Sequence, residues 1–377
     1  MAAKRKVLFL TSEFWQGGAQ RHLYEIDKAL DRDRYTKSIL SLRGLGTNQS
    51  WDDHYYSKHL ELGTEIFFLE QVNTIRIPTI NERIKRAVLG RKLPPERESL
   101  LQFLNSYDVI LCIGEYTYPH IERWITDEIK AKCHIAIVNS IVQVPENYDR
   151  YNKSQKYNFI SGFQKEEVAF ELNGFTNFGH SFFPLSIACN HEKALWKPHT
   201  TGSKRIGIFT RLTPNKPIDL FLFALHLLKD KVTDIVLNVY GNGDPVALGF
   251  TRSVEYLALN KNVVFKGHQA DLTETALRDD LDLVWFHGYH ATPGGFASFD
   301  LSSIGIPQIF WNFTPDSGEA DQDVFPMYSN LKDFVEDSYK ILQNPQYASD
   351  LGQRQFDYIT EKRNIRKNVF LLEAILG

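Results

Sequence analysis

Cysteine is scarce. Cys112, Cys133 and Cys189 are the only three in 377 residues, and none stands in a CxxC or Cys/His ligand spacing. An odd, scattered set excludes a disulfide framework and a structural zinc site, and points to buried thiols in a reducing compartment. Long apolar runs are missing too. After Lys4, Arg5 and Lys6, only residues 7–10 are apolar before Thr11, too short for a signal-peptide core. The longest greasy run, 218–228, is broken by Asp219 and His226 and falls well short of the ~20 residues of a transmembrane helix. A cytoplasmic chain that does not span a membrane is expected. No charge of one sign dominates either: 43 Lys and Arg face 46 Asp and Glu, so no overall field recruits nucleic acid.

What is present is ordinary globular material, with 43% hydrophobic residues, 24% charged residues and 13% aromatics. At about 150 residues per domain the length suggests roughly two to three domains, with two compact units of about 180 residues as the leading expectation. Short β-branched and aromatic runs at 6–10, 38–42, 65–69, 108–113 and 134–138 alternate with helical patterns and predict buried parallel strands. Between the first two, Ala19, Leu23, Ile26 and Leu30 share one helical face. A second series begins afresh with strands at 205–209, 234–240, 262–265, 281–286 and 308–311, and a helix at 216–228. The polar stretch between the series, with Pro198 and Gly202, reads as a linker at 187–203. The expected fold is α/β: a doubly wound unit at 1–186, another at 204–355, facing a central cleft, and an amphipathic helical tail.

In such sheets, ligands collect at the loops that follow the strands. Gly17-Gly18, running from a strand into a helix, lets a backbone approach an anion, although a flexible turn explains the pair equally well. Arg211 and Lys216 flank the next strand-to-helix loop. A planar fork and a point charge beside a helix start suit a diphosphate, while two solvated cations are the ordinary alternative. The Gly241-Asn242-Gly243 turn and the strand end Val264-Phe265-Lys266-Gly267-His268 follow. The last loop holds His287, His290, Thr292, Gly294, Gly295 and Phe296 and leads to a helix carrying Asp300. Its glycines offer N–H groups to phosphate, and Asp300 offers a carboxylate to ribose hydroxyls. His287 and His290 read as hydrogen-bonded loop histidines, since no carboxylate joins them at metal-ligand spacing.

In order and spacing, the Gly17-Gly18-Ala19-Gln20 loop, Arg211 and Lys216, the Gly241-Asn242-Gly243 turn, Val264-Phe265-Lys266-Gly267 and the segment from Gly294 to Pro307 resemble retaining glycosyltransferases of the GT-B fold, family 4. The resemblance covers nearly the whole chain. It implies that the first domain binds the acceptor and the second a nucleotide-diphosphate sugar, with the C-terminal helices, 356–377, packing back on the first domain. It implies that Arg211 and Lys216 bind the donor diphosphate, with Gly17, Gly18, Gly241, Gly243, His268, His287, Thr292, Gly294, Gly295, Phe296 and Asp300 around the donor. The family's paired glutamates contact donor sugar and ribose; here Asp300 stands at the second and Thr292, which has no carboxylate, at the first. Asn139 stands where the family commonly has a sugar-contacting His.

A retaining transfer of this kind needs no protein nucleophile, no resident cofactor and no metal, because the leaving diphosphate can take the acceptor's proton and fixed cations carry the charge. The sequence offers no DxD motif in a plausible loop. Glu115, after a strand, is a candidate acceptor contact, or else a helix-capping carboxylate. The basic stretch 76–97, with Ile84, Val88 and Leu89 interleaved, suits an anionic membrane or a solvated helix face. The expected activity is hexosyl or deoxyhexosyl transfer to a glycan or lipid-linked acceptor in cell-surface polysaccharide or glycoconjugate synthesis, at the inner face of the cytoplasmic membrane. A catalytically weak sugar-nucleotide-binding subunit is the alternative.

Overall fold

The computed structural model describes residues 3–47, 52–72, 95–141, 144–162, 166–199, 202–288, 295–313 and 324–377. Thr292 and Gly294, and the basic stretch from 76 to 94, lie outside the described residues. The chain divides into two compact units, Met1–Ser186 with Ile365–Gly377, and Ile187–Asn364.

The first unit is built on a parallel sheet of seven strands, β1 (Arg5–Thr11), β2 (Tyr35–Ser41), β3 (Glu65–Phe68), β4 (Val109–Ile113), β5 (Cys133–Ala136), β6 (Tyr157–Ser161) and β7 (Phe178–Phe182), in the order β3-β2-β1-β4-β5-β6-β7. Central strands such as β1 and β4 are near-continuous apolar runs because helices cover both faces of a parallel sheet. Two strands, β6 and β7, were not expected from the sequence. The half-exposed β7, Phe-Gly-His-Ser-Phe at the sheet edge, lacks the β-branched run that marks the central strands. Helix α1 (Gly18–Ala29) buries Ala19, Leu23 and Ile26, and Leu30 just beyond its end is buried with them. Helix Ile365–Leu376 packs beside it, its end held by Arg5, which donates to the Gly377 carbonyl at 2.7 Å.

Under α1, Asp27 is fully buried. It pairs with Lys37 at 3.1 Å and His59 at 2.7 Å, and accepts from Thr64 at 2.7 Å. The network joins α1, β2 and α2 (His54–Glu61), and its partners hold the Asp27 carboxyl below its ordinary value against the cost of burial.

The second unit has a six-stranded parallel sheet, β8 (Lys204–Phe209), β9 (Ile235–Tyr240), β10 (Val263–Gly267), β11 (Leu283–Gly288), β12 (Gln308–Asn312) and β13 (Met327–Tyr328), in the order β10-β9-β8-β11-β12-β13. Trp285 on β11 is fully buried against Phe221 and Phe334 and donates to Ser338 Oγ at 3.1 Å. Residues 187–199, read from composition as a linker, lie on this unit. The Leu195 and Trp196 amides donate to the Ile304 carbonyl at 2.9 and 2.8 Å, and the Trp196 indole to Leu281 at 2.7 Å. At the other end, Phe356 and Ile359 are buried within the helix Pro345–Lys362 of this unit, so that Ile365–Gly377 alone joins the first. Cys112, Cys133 and Cys189 are free and buried, and no helix among the described residues is long and apolar enough to cross a membrane.

Candidate active site

In the second unit, β8 leads through residues 210–217 into α3 (Ile218–Leu228). This loop is lashed to the turn after β9: the Thr210 amide donates to Tyr240 at 2.9 Å and the Leu212 amide to Asn242 at 2.7 Å. Glycine is required on the facing side. A Cβ on Gly241 would stand 1.7 Å from the Thr210 carbonyl oxygen, and one on Gly243 would stand 2.4 Å from that of Leu212, and both residues have positive φ. The glycine turn therefore sets the backbone on either side of Arg211. The Gly241 amide donates to the Gly267 carbonyl at 2.9 Å, which ties the end of β10 and the exposed His268 to the same edge.

Lys216 is half-buried, and burial together with the Arg211 charge lowers its pKa. His287, at the carboxyl end of β11, is pushed down to about 4 by burial first and by the Lys216 charge second. Arg211 and Lys216, on the loop after β8, thus come to the same sheet edge as His287 at the end of the neighbouring strand β11, with the imidazole neutral at pH 7. Pro217 sits at the N-cap rather than inside the first turn of α3, which begins two residues later than the apolar pattern suggested.

Gly295 takes φ +73° at the start of α4 (Phe296–Ser302), with Phe296 in its first turn and Asp300 half-buried in its second. The seat of this helix escaped the sequence reading. Gln308 exchanges hydrogen bonds with Ser298 at 2.7 and 3.0 Å and donates to Ser302 Oγ at 2.8 Å, while Gln355 bridges the Gln308 backbone at 2.9 and 2.8 Å. A Cβ on Gly352 would meet the Gly305 carbonyl oxygen at 2.0 Å, so close helix approach also holds α4 in place. Isolated glutamines and a mid-helix glycine carry no signal until the fold brings them together.

In the first unit, Gly17 is the N-cap of α1 and Gly18 its first residue. Gln20 donates to Glu13 at 3.0 Å, and Arg43 stands 3.5 Å from the same carboxylate. Glu115 is fully buried, neither a surface group nor a helix cap. It accepts from the Val138 amide at 3.1 Å, the Asn139 amide at 3.3 Å, Asn139 Nδ2 at 3.0 Å and Asn147 Nδ2 at 2.6 Å, and Tyr151 donates to its carbonyl. Glu115 and Asn139 therefore engage each other and shape the loop after β5. Among the described residues, no group of three or more His, Cys, Asp or Glu is placed to hold a metal ion.

No family model matches the chain, and no curated protein matches it by sequence. Its fold is that of GT-B glycosyltransferases. The solved structure of Anabaena HepE in complex with UDP and glucose superposes with a TM-score of 0.69 at 14% identity, over 99% of each chain. Sucrose-phosphate synthase from Thermosynechococcus elongatus gives 0.68 at 13% identity over 98% of each. S. aureus TarM, solved with Fondaparinux, alpha-GlcNAc-glycerol and UDP, gives 0.65 at 12% identity over 99% of this chain and 100% of its own.

Proposed function

We propose that this chain is a retaining glycosyltransferase of family 4, moving a hexose or deoxyhexose from a nucleotide-diphosphate sugar to a glycan or lipid-linked acceptor in cell-surface polysaccharide or glycoconjugate synthesis. The observation that carries this is the convergence of Arg211, Lys216 and His287 at one sheet edge, on a fold shared with a protein solved with UDP and glucose.

Arg211 and Lys216 supply fixed positive charge where a leaving diphosphate develops negative charge, which favours the transition state over the bound donor. Neutral His287 donates or accepts a hydrogen bond beside them. The α4 start at Gly295 and Phe296 and the half-buried Asp300 complete the donor side, with Asp300 receiving ribose hydroxyls. Glu115 and Asn139 act as positioning residues, because the amide of one is already bound to the carboxylate of the other. With cations in the site, transfer is expected to persist in EDTA; loss on chelation, restored by magnesium or manganese, would refute that part.

The Asn139 to Glu115 bond and the absence of a carboxylate at Thr292 favour a second reading, a catalytically weak sugar-nucleotide-binding subunit. Incubation with a panel of nucleotide sugars, followed by detection of nucleoside diphosphate and of the anomeric configuration of the product, separates the two. Turnover with retention supports the transferase, binding without turnover supports the subunit, and neither overturns both.

A further inference from the structure

At the carboxyl end of the first sheet stands a carboxylate with few partners for its burial. Glu13, two residues beyond β1, has a side chain only 12% exposed. Taking such a group out of water costs free energy that hydrogen bonds must offset. Among the described residues its carboxylate accepts a single hydrogen bond, from Gln20 Nε2 at 3.0 Å. Arg43 stands 3.5 Å away, with its guanidinium side chain 55% exposed and its charge largely screened. Glu115 and Asp27, buried in the same unit, are saturated by contrast: one accepts from two backbone amides and two asparagine side chains, the other is held by Lys37, His59 and Thr64. A carboxylate offers about four acceptor positions, so Glu13 keeps capacity for a ligand.

The surrounding chain fixes this carboxylate in advance. Gln20, in the first turn of α1, is buried, and its Oε1 lies 2.6 Å from where a Cβ on Gly17 would stand. Glycine at 17 therefore leaves the amide room to turn toward Glu13. Thr11 Oγ1 donates to the Glu13 carbonyl at 3.2 Å. The loop after β2 is tied alongside, with the Leu42 amide donating to Thr11 at 2.9 Å and the Arg43 amide to Ser12 at 3.1 Å. The half-buried Trp15 ring lies 5.6 Å from the Arg43 guanidinium.

We propose that Glu13 is a specificity-determining residue, a carboxylate that receives hydroxyl groups of the acceptor saccharide, and that Gln20 and Gly17 position it. Hydroxyls donate to a carboxylate oxygen in charge-assisted bonds, which completes a set that the protein leaves open. Arg211, Lys216 and His287, the groups proposed for the donor, belong to the second unit, so that the hydroxyl-binding carboxylate of the first falls to the acceptor. The inference rests on the proposed transferase function and names one of its acceptor contacts.

The test is binding of methyl α-glucoside, α-galactoside and α-mannoside to the full chain saturated with UDP, followed by saturation-transfer NMR. For a hexoside that binds, replacing one hydroxyl at a time by fluorine, which cannot donate, is expected to weaken binding at least about tenfold at one position or at an adjacent pair. In Glu13→Gln, whose amide can both donate and accept, that fluorine penalty is expected to vanish while UDP affinity stays as in the parent. Gln20→Leu is expected to weaken hexoside binding in the parent and to add nothing in a Glu13→Ala background, because it acts through Glu13. A fluorine penalty that persists in Glu13→Gln, or a protein that binds none of the three hexosides, would overturn the assignment. An additive effect of Gln20→Leu would overturn its positioning role. Displacement of the hexoside by UDP-glucose fluorinated at C2 would assign the carboxylate to the donor sugar and overturn the acceptor contact. Failure of UDP itself to bind would count against the transferase function, whereas Glu13 stands or falls on the fluorine penalty.

Discussion

In the proposed transfer, Arg211 and Lys216 are the residues on which the donor side depends most directly. Each contact to a leaving diphosphate is worth about 3 kcal/mol in the transition state, so Arg211→Ala and Lys216→Ala should each lower kcat by about 10²-fold. Both residues lie outside the core, and the circular dichroism of the variants should match the parent. A near-normal rate at saturating donor in either variant would remove that residue from the clamp. Asp300 differs in kind. Contacts to ribose hydroxyls are the same in ground and transition states, so Asp300→Ala should raise the donor KM roughly tenfold with kcat little changed. If the melting temperature falls and KM does not move, Asp300 supports its helix instead.

At the level of elements, the 210–217 loop and the turn after β9 act as one piece because each requires the other's shape. Gly241→Ala would place a Cβ 1.7 Å from the Thr210 carbonyl, a separation no relaxed side chain adopts. The loop must move, and Arg211 with it. The expected result is a loss of UDP affinity of at least tenfold, measured by calorimetry, with hydrogen exchange in the first unit unaltered; unchanged affinity would show that Arg211 does not depend on this contact. The sheet series was legible from the alternation of apolar runs with helical patterns, as at β1, β4, β8 and β11. Strands β6 and β7 were missed: β7 is a half-exposed strand at the sheet edge, and β6, though buried, mixes Asn158 and Ser161 into its run, so neither is written as a continuous apolar run.

For the whole molecule, acid stability follows from two buried histidines, one in each unit. Burial lowers His22 and His287 to about 4, so both are neutral in the folded protein at pH 7. In the unfolded chain they protonate near pH 6.5. The folded pKa is the lower one, so stability is full above about 6.5 and is lost as pH falls toward 4. Urea unfolding at pH 5 should show about 2 kcal/mol less stability per histidine than at pH 7. The His287→Gln variant should lose less over the same interval, and an equal loss would show that His287 does not carry this dependence. The sequence by itself determined the α/β class, the two series of parallel strands and the loops worth inspecting, because periodicity and glycine placement are local properties of the chain. Tertiary structure alone decided that the Lys216 charge acts on His287, that Glu115 is a buried partner of Asn139, and that Gln308 and Gln355 seat α4. Each of these unites residues from separate segments, and sequence periodicity carries no information about which loops a folded sheet brings to the same edge.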